Sequence, residues 1–338
     1  MSLPGPRAIR RRAEALRSTD GRRPLPAVRR HTAEGSHVGG VRSTFYTLRM
    51  RSPHRRVATR SAAALALLLA GVGARSQDGD PPATTAVLHE TRTPYQSLLV
   101  VEDAARRERY LCGPGCGYVH GTLRLDAPEE LAMEYMRTAL VGLAFLSEAP
   151  RRPLFLGMGA GLMPRFVRAR FPSARVDVVE VDPEVPPLAR RFFGFRDDSR
   201  LKVRVADAAE FVARRKGPWD VVFLDALYGP EVPGHLAAEP FLRRLRQRLS
   251  RGGVLVANLA PPALAPGTPA LLDRLVGAGF SVTVFPTPEG SNWIAVATLV
   301  PVADDAVAAR ARRLDRDLGG PGLEGILSRP GRFSVPPR

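Results

Sequence analysis

Cysteine is scarce in this sequence, which contains only Cys112 and Cys116 among its 338 residues. A zinc or iron–sulfur site held by cysteines needs more than two such ligands, and His120 alone does not complete a set. The sequence therefore indicates no metal site. If the chain is exported, we expect the two cysteines to close a small disulfide loop, whereas in a reducing compartment they would remain thiols.

Lysine is almost absent, at Lys202 and Lys216 only, so nearly all of the positive charge is arginine. The net charge of +17 would ordinarily suggest nucleic acid or an anionic membrane as partner. The charge is unevenly distributed, because residues 1–74 hold 15 arginines and three acids while the remainder holds 35 basic and 30 acidic residues. The later part of the chain is only mildly basic, and we expect no nucleic-acid partner.

Apolar runs long enough to span a bilayer are also missing, and we expect no stable membrane insertion. The run Ala62–Val72 follows a basic segment that contains Arg55 and Arg56, a layout typical of a secretory signal over residues 50–74 that starts at Met50. The arginine pair also fits a twin-arginine signal loosely. The protein is exported if this signal is real and cytoplasmic otherwise; the run could instead be an uncleaved anchor or a chance helix. Residues 1–49 are predicted to be disordered, and residues 75–86 to be a polar linker.

A small β-domain is predicted over residues 87–127. Strand-like runs at Ser97–Glu102, Arg109–Cys112 and Tyr118–Leu125 are separated by turn residues, which favours an antiparallel sheet of hairpins. Apolar residues at helical spacing then predict a helix from Pro128 to Ser147.

Residues 128–300 show strands that alternate with helices, and apolar strands of this kind are typical of a parallel sheet covered on both faces. Two later runs predict a closing antiparallel pair of strands. The C-terminal part, residues 301–338, is predicted to hold an amphipathic helix at Asp304–Leu318 and a loosely ordered tail from Gly319. The strands are expected at 153–156, 175–181, 201–205, 219–224, 253–258, 280–285 and 292–298.

A glycine turn, Gly157, Gly159 and Gly161, follows the first of these strands and leads into a helix. Such a turn needs positive φ angles, and the free N–H groups of a helix N-terminus suit the anionic or polar parts of a nucleotide-like ligand. The sequence therefore predicts a ligand site at this turn.

Acidic residues end the next three strands. Ligands of such sheets bind outside the carboxyl ends of the strands. A carboxylate after the second strand can accept hydrogen bonds from ribose hydroxyls, and one after the third can accept from an adenine amine. Asp182 and Asp207 could each instead be a helix N-cap. The acids are Glu180, Asp182, Asp207 and Asp225.

With these residues in place, the chain resembles the spermidine synthase (polyamine aminopropyltransferase) family, within the S-adenosylmethionine-dependent methyltransferase fold, over roughly Leu88–Leu299. The resemblance implies a doubly wound, mostly parallel seven-stranded, Rossmann-like α/β sheet preceded by a small antiparallel β-domain. Four segments carry it: Thr93–Glu102, Glu134-Tyr135, Val179–Val185, and Trp219–Asp225 with Gly229-Pro230.

The resemblance also implies roles for individual residues. Glu180 would bind ribose and Asp225 would be the first catalytic acid. Tyr95, Gln96 and Tyr135 would contact the substrates. The co-substrate would be S-adenosylmethionine or its decarboxylated form, the acceptor a small-molecule amine, and the assembly a homodimer.

Three places depart from the family pattern, and one is the segment after Tyr135, which has Met136 and Arg137 where the family has His or Gln and then Glu. The family has an aspartate in the glycine turn where this chain has Ala160, and a second catalytic aspartate where it has Tyr228, which is a poor base at neutral pH. Three functions stay open: aminopropyl transfer, methyl transfer and non-catalytic binding of an adenosyl metabolite. His235 lies in a loop above the strand ends, where it could reach the pocket or simply face solvent.

Overall fold

The computed structural model describes residues 85–215 and 217–336. The predicted disordered segment, signal and linker lie outside the described residues, except that positions 85 and 86 begin the first strand. The boundaries assigned to the domains stay predictions.

A four-stranded antiparallel sheet, in the order β1-β2-β3-β4, comes first. Its strands are β1 (Thr85–Arg92), β2 (Ser97–Asp103), β3 (Glu108–Cys112) and β4 (Val119–Arg124). The hairpin prediction is confirmed, with β1 as an additional edge strand. A short 3-10 turn, Pro114–Cys116, connects β3 to β4, and a disulfide joins Cys112 to Cys116 across it.

The predicted helix at 128–147 is shorter than expected. Helix α1 spans only Glu134–Ala139 and continues as a 3-10 turn, Leu140–Phe145. The six residues of this turn are all buried, so its conformation follows the packing around it rather than exposed-helix periodicity. Pro128 and the residues up to Met133 precede the helix as turn and irregular backbone.

The second sheet has eight strands in the order β12-β10-β11-β9-β8-β5-β6-β7. Pairing is parallel from β7 through β9 and antiparallel at β11, β10 and β12. The strands are β5 (Pro153–Leu156), β6 (Val176–Glu180), β7 (Leu201–Val205), β8 (Trp219–Leu224), β9 (Leu249–Leu259), β10 (Ser281–Pro286), β11 (Trp293–Thr298) and β12 (Phe333–Val335). The doubly wound, mostly parallel α/β fold is confirmed, with one strand more than predicted.

Helices cover both faces of this sheet. They are α2 (Leu162–Arg170), α3 (Val185–Phe192), α4 (Ala208–Arg214), α5 (Glu239–Arg248), α6 (Thr268–Gly277), α7 (Asp304–Leu318) and α8 (Leu323–Leu327). Alternate residues of one strand serve opposite cores, since Phe155 belongs to one buried cluster and Leu154 and Leu156 to the other. The polar residues that follow the carboxyl ends of β5 to β8 belong to neither apolar cluster.

The prediction of a loosely ordered tail is wrong. Residues after Gly319 form α8 and then β12, which pairs with β10. Leu323 and Ile326 are almost fully buried in the same cluster as α1 and α7. In the sequence, the few apolar residues of this segment are separated by glycines and prolines, so they show no helical period.

Candidate functional site

The glycine turn joins β5 to α2, and all three of its predicted glycines have positive φ, at 98°, 51° and 75°. Other L-residues rarely adopt this region. Protein atoms also fill the space where side chains would stand: a Cβ at Gly157 would collide with the carbonyl oxygen of Asp225, and one at Gly159 with that of His120. The turn is therefore locked between the two sheets, and its glycines are required by packing before any ligand is considered.

Glu180, at the end of β6, closes over this turn. Its carboxylate accepts the backbone N–H of Met158 at 2.9 Å and that of Asp182 at 2.9 Å, and the residue is only 8% exposed. Burial raises the pKa of Glu180, an effect that backbone hydrogen bonds from Asp182, Met158 and Val181 reduce in part. A carboxylate has about four lone-pair sites, so it can still accept a further hydrogen bond.

Asp182 is fully buried and connects the two sheets. Its Oδ2 accepts from Thr93 Oγ1 at 2.8 Å and from Gln96 Nε2 at 3.4 Å, while Oδ1 accepts the Glu184 backbone N–H at 3.1 Å. Gln96, predicted to contact substrate, thus binds Asp182 in this structure. Neighbouring Tyr95 is 44% exposed.

Asp207 is the N-cap of α4, the alternative that the sequence left open. Its Oδ1 accepts the Glu210 backbone N–H at 2.9 Å. Its Oδ2 lies 2.8 Å from Nε2 of His235, which reaches across from the loop after β8. Burial on its own would raise the pKa of Asp207, but the hydrogen bonds from Glu210 and His235 outweigh it and the pKa is lowered.

Asp225, directly after β8, is partly buried at the centre of a side-chain network. Tyr135 on α1 donates its hydroxyl to Oδ2 at 3.2 Å, and the Asn258 amide donates to Oδ1 at 2.8 Å. Burial raises the pKa of Asp225, although both hydrogen bonds act in the opposite direction. The pKa of Tyr135 is also raised, by burial and by the nearby carboxylate. Because its pKa is raised, the Asp225 carboxylate takes up a proton more readily than an exposed carboxylate does.

Two members of this network were missed by the sequence analysis. Asn258 Oδ1 accepts from the Asn292 amide at 2.8 Å, so the chain of hydrogen bonds continues to the residue before β11. Asn258 is the polar residue in the buried second half of β9, residues 253–259. A buried polar side chain needs partners, and that was the available signal.

Tyr228 does not join the network. Its side chain is 75% exposed, and its backbone pairs with that of Glu231 in a tight turn of the loop after β8. The structure thus brings Tyr135 to Asp225 and leaves Tyr228 at the surface.

A separate cleft of about 180 Å³ opens between the loop after β8 and α6. It is lined mainly by apolar groups, with Glu231, Thr268 and Arg274 as polar members, and none of the residues predicted to hold a nucleoside lines it. Within residues 85–215 and 217–336, no three His, Cys, Asp or Glu side chains are grouped as metal ligands. In the same ranges, no helix has the length and apolar character needed to cross a membrane.

Comparison with known proteins was made at three levels. Residues 134–299 match the spermine/spermidine synthase domain. The polyamine aminopropyltransferase of Vibrio vulnificus is 33% identical over 177 residues, which cover 51% of this chain and 58% of that protein. The chain spans roughly three fifths of the length of the first curated relatives it matches.

Solved structures give two further likenesses. A probable spermidine synthase from Corynebacterium glutamicum superposes with a TM-score of 0.59 at 24% identity, covering 72% of this chain and 94% of that one. Human methyltransferase-like protein 13, in complex with SAH, superposes with a TM-score of 0.51 at 27% identity, covering 56% and 93%.

Proposed function

We propose that this chain, which carries a spermine/spermidine synthase domain over residues 134–299, binds an adenosyl sulfonium compound and transfers its aminopropyl group to a small-molecule amine. The observation that carries the proposal is Asp225, a partly buried carboxylate with a raised pKa at the end of β8, where Gly157 packs against its backbone. Tyr135 and Asn258 hold this carboxylate at the reacting end of the site.

The residues around the glycine turn fit the nucleoside. The Glu180 carboxylate is suited to accept hydrogen bonds from both ribose hydroxyls, because the two hydroxyls lie on the same side of the sugar. At Asp207, an adenine amine would compete with His235 for Oδ2, because Oδ1 already caps α4. The site therefore binds the nucleoside by acceptors whose geometry the fold has already set.

The chemistry explains why a partly buried acid is useful. A neutral amine attacks the carbon beside the sulfonium, the new C–N bond forms as the C–S bond breaks, and a neutral thioether leaves. The attacking nitrogen must lose a proton to become neutral, and burial makes Asp225 a stronger base than an exposed aspartate. Tyr135 and Asn258 orient the carboxylate without supplying a proton acceptor of comparable strength.

The acceptor is proposed to carry fewer positive charges than a long polyamine. At the two positions where the family has acids, this chain has Ala160, which is buried against Gly121, and Tyr228, which is exposed. Cationic groups in a site need acidic partners. Asp225 is assigned to take up the proton of the attacking nitrogen, so the charged nitrogens of a long polyamine would lack the two acidic partners that the family provides.

Calorimetric titration of the full chain with S-adenosylmethionine, its decarboxylated form and methylthioadenosine tests the proposal. We expect the decarboxylated compound to bind more tightly than the parent compound, and a thioether product to form when a diamine is added. Tighter binding of the parent would contradict aminopropyl transfer, and absence of binding by all three would contradict any nucleoside function.

Methyl transfer is the second candidate, favoured by the likeness to methyltransferase-like protein 13 and by the exposure of Tyr228. Positioning an acceptor in line with a methyl sulfonium supplies much of the rate without a strong base. Mass spectrometry of acceptor amines after incubation distinguishes the two reactions, since the mass added by an aminopropyl group differs from that of a methyl group.

A further inference from the structure

The C-terminal segment lies beyond the matched synthase domain, which ends at residue 299, yet it contacts the helix that carries Tyr135. Arg329 follows α8 and donates through Nη2 to Glu134 Oε1 at 2.7 Å and through Nη1 to Thr138 Oγ1 at 3.3 Å. Glu134 and Thr138 are one turn apart on α1. One guanidinium therefore holds both ends of this short helix.

Helix α1 needs such support. It has six residues, and its N-cap, Met133, provides no side-chain hydrogen bond. Helices this short are not stable on their own in water. The fixed position of α1 must come from its surroundings, which are the buried apolar core and the charged groups at Glu134.

Glu134 is held from two sides. Arg137 on the same helix donates to Oε2 through Nε at 3.1 Å and through Nη2, and Arg329 takes Oε1. Glu134 is 17% exposed at its side chain and Arg329 is 29% exposed, so water screens this pair less than it screens a surface pair. The carboxylate thus ties α1 to the C-terminal segment.

Apolar side chains of α8 also connect the C-terminal segment to α1. Leu323 and Ile326 of α8 belong to the buried cluster that contains Tyr135 and Met136. Asp315 of α7 in turn fixes the start of α8, because its carboxylate accepts the backbone N–H groups of Leu323 at 2.7 Å and Glu324 at 3.1 Å. The support for α1 is therefore itself anchored to a long helix.

We propose that Arg329 is a positioning residue, which holds α1 through Glu134 so that the Tyr135 hydroxyl stays on the Asp225 carboxylate. Tyr135 is adjacent to Glu134, the residue through which the charged Arg329 side chain ties α1 to the C-terminal segment. Small shifts of the helix change the 3.2 Å contact between Tyr135 and Asp225 directly. The segment after residue 299 is thereby part of the reacting end of the site.

The test compares Arg329→Met with Arg332→Met in the full chain. Arg332 lies in the same segment but pairs with Asp304 and stacks on the Phe285 ring, so its loss leaves α1 untouched. For Arg329→Met we expect kcat to fall about three- to tenfold, the effect of losing the single hydrogen bond between Tyr135 and Asp225. The KM of the nucleoside should change little. Arg329→Lys should recover part of the rate, and Arg332→Met should keep it.

A second readout does not depend on turnover. The groups that face Asp225 are Tyr135 from α1 and Asn258 from β9, and the Tyr135 hydrogen bond lowers the pKa of the carboxyl. In ¹³C NMR of aspartate-labelled protein, with Asp225→Asn to identify the resonance, Arg329→Met should move the titration of Asp225 to higher pH. The acid limb of the pH–rate profile should move in the same direction.

The kinetic arm rests on the proposed function, whereas the NMR arm does not. A moved titration without any transferase activity would therefore retain the positioning role and discard the reaction. Glu134→Gln repeats the test from the other partner if Arg329→Met does not fold. An unmoved titration in both variants, or an equal shift in Arg332→Met, would overturn the proposal.

Discussion

Two carboxylates flank β5, the buried Glu180 at the end of β6 and the partly buried Asp225 at the end of β8, and their hydrogen bonds come from different kinds of donor. Glu180 accepts two backbone N–H groups, whereas Asp225 accepts a tyrosine hydroxyl and an asparagine amide. Backbone donors are set by the fold and persist whatever side chains occupy the turn. Side-chain donors can be exchanged one at a time, so the proposed nucleoside end is the fixed half of the site and the proposed reacting end is the adjustable half.

Asp225→Asn should have the largest effect on activity. We expect at least a 100-fold loss of transfer, which is the lower range for removing a general base. Stability should change in the opposite sense. Burial raises the pKa of Asp225, so the folded protein loses stability relative to the variant as pH rises from the ordinary carboxyl pKa up to that raised value.

Denaturant unfolding at several pH values, together with a transfer assay, measures both effects. Nucleoside affinity serves as the control and should stay within about twofold. A variant with the parental rate would remove Asp225 from the reaction. Asp225 and Glu180 would then differ only in the donors of their hydrogen bonds.

Glu180→Ala should have the largest effect on stability. It leaves two buried N–H groups without partners, and each costs about 1–3 kcal/mol. Nucleoside binding should weaken with it, because the turn loses its closing contact. Urea unfolding and calorimetry measure the two losses, with Glu148→Ala as the matched control, since that exposed glutamate pairs only with Arg151. Equal stability of the two variants would contradict the role assigned to the backbone hydrogen bonds.

These expectations also show what the sequence could and could not supply. Strands β7 and β8 were predicted to the residue because apolar runs there end sharply at polar residues. The contact between Tyr135 and Asp225 joins residues 90 positions apart, and only family resemblance brought them together. Asn258 and Arg329 were overlooked because their importance depends on tertiary partners that no local period reveals.

Asp207→Asn should have a smaller effect, since asparagine caps a helix about as well as aspartate. The variant isolates the charge. The pKa of Asp207 is lowered, so its charge stabilises the fold above the unfolded pKa, and this contribution disappears as pH falls through the lowered value. We expect a deficit of at most about 1 kcal/mol at neutral pH, because the pair with His235 is partly exposed.

Thermal unfolding from pH 2 to 7 follows this deficit, which should close at the acid end. Asp207→Ala provides the comparison that removes the cap as well, at a further cost of about 1 kcal/mol. A deficit for Asp207→Asn that is constant across this range would show that the charge of Asp207 contributes nothing.

Tyr228→Phe should have the smallest effect. The side chain is 75% exposed and its loop turn is held by backbone hydrogen bonds, so we expect both rate and stability to stay within the range of ordinary surface changes, about 0.5 kcal/mol. A tenfold loss of kcat measured under saturating substrates would instead mean that Tyr228 closes over the site when substrates bind. It would then belong to the adjustable half with Asp225.

Asp182 has a consequence for how this chain can vary among related sequences. It is fully buried on the large sheet, yet two of its partners, Thr93 and Gln96, belong to the turn between β1 and β2. A change at any one of the three leaves a polar group stranded in the interior unless the others change too. Positions 93, 96 and 182 should therefore covary. Exchange of the N-terminal sheet between homologues should give a stable protein only when all three residues are exchanged together.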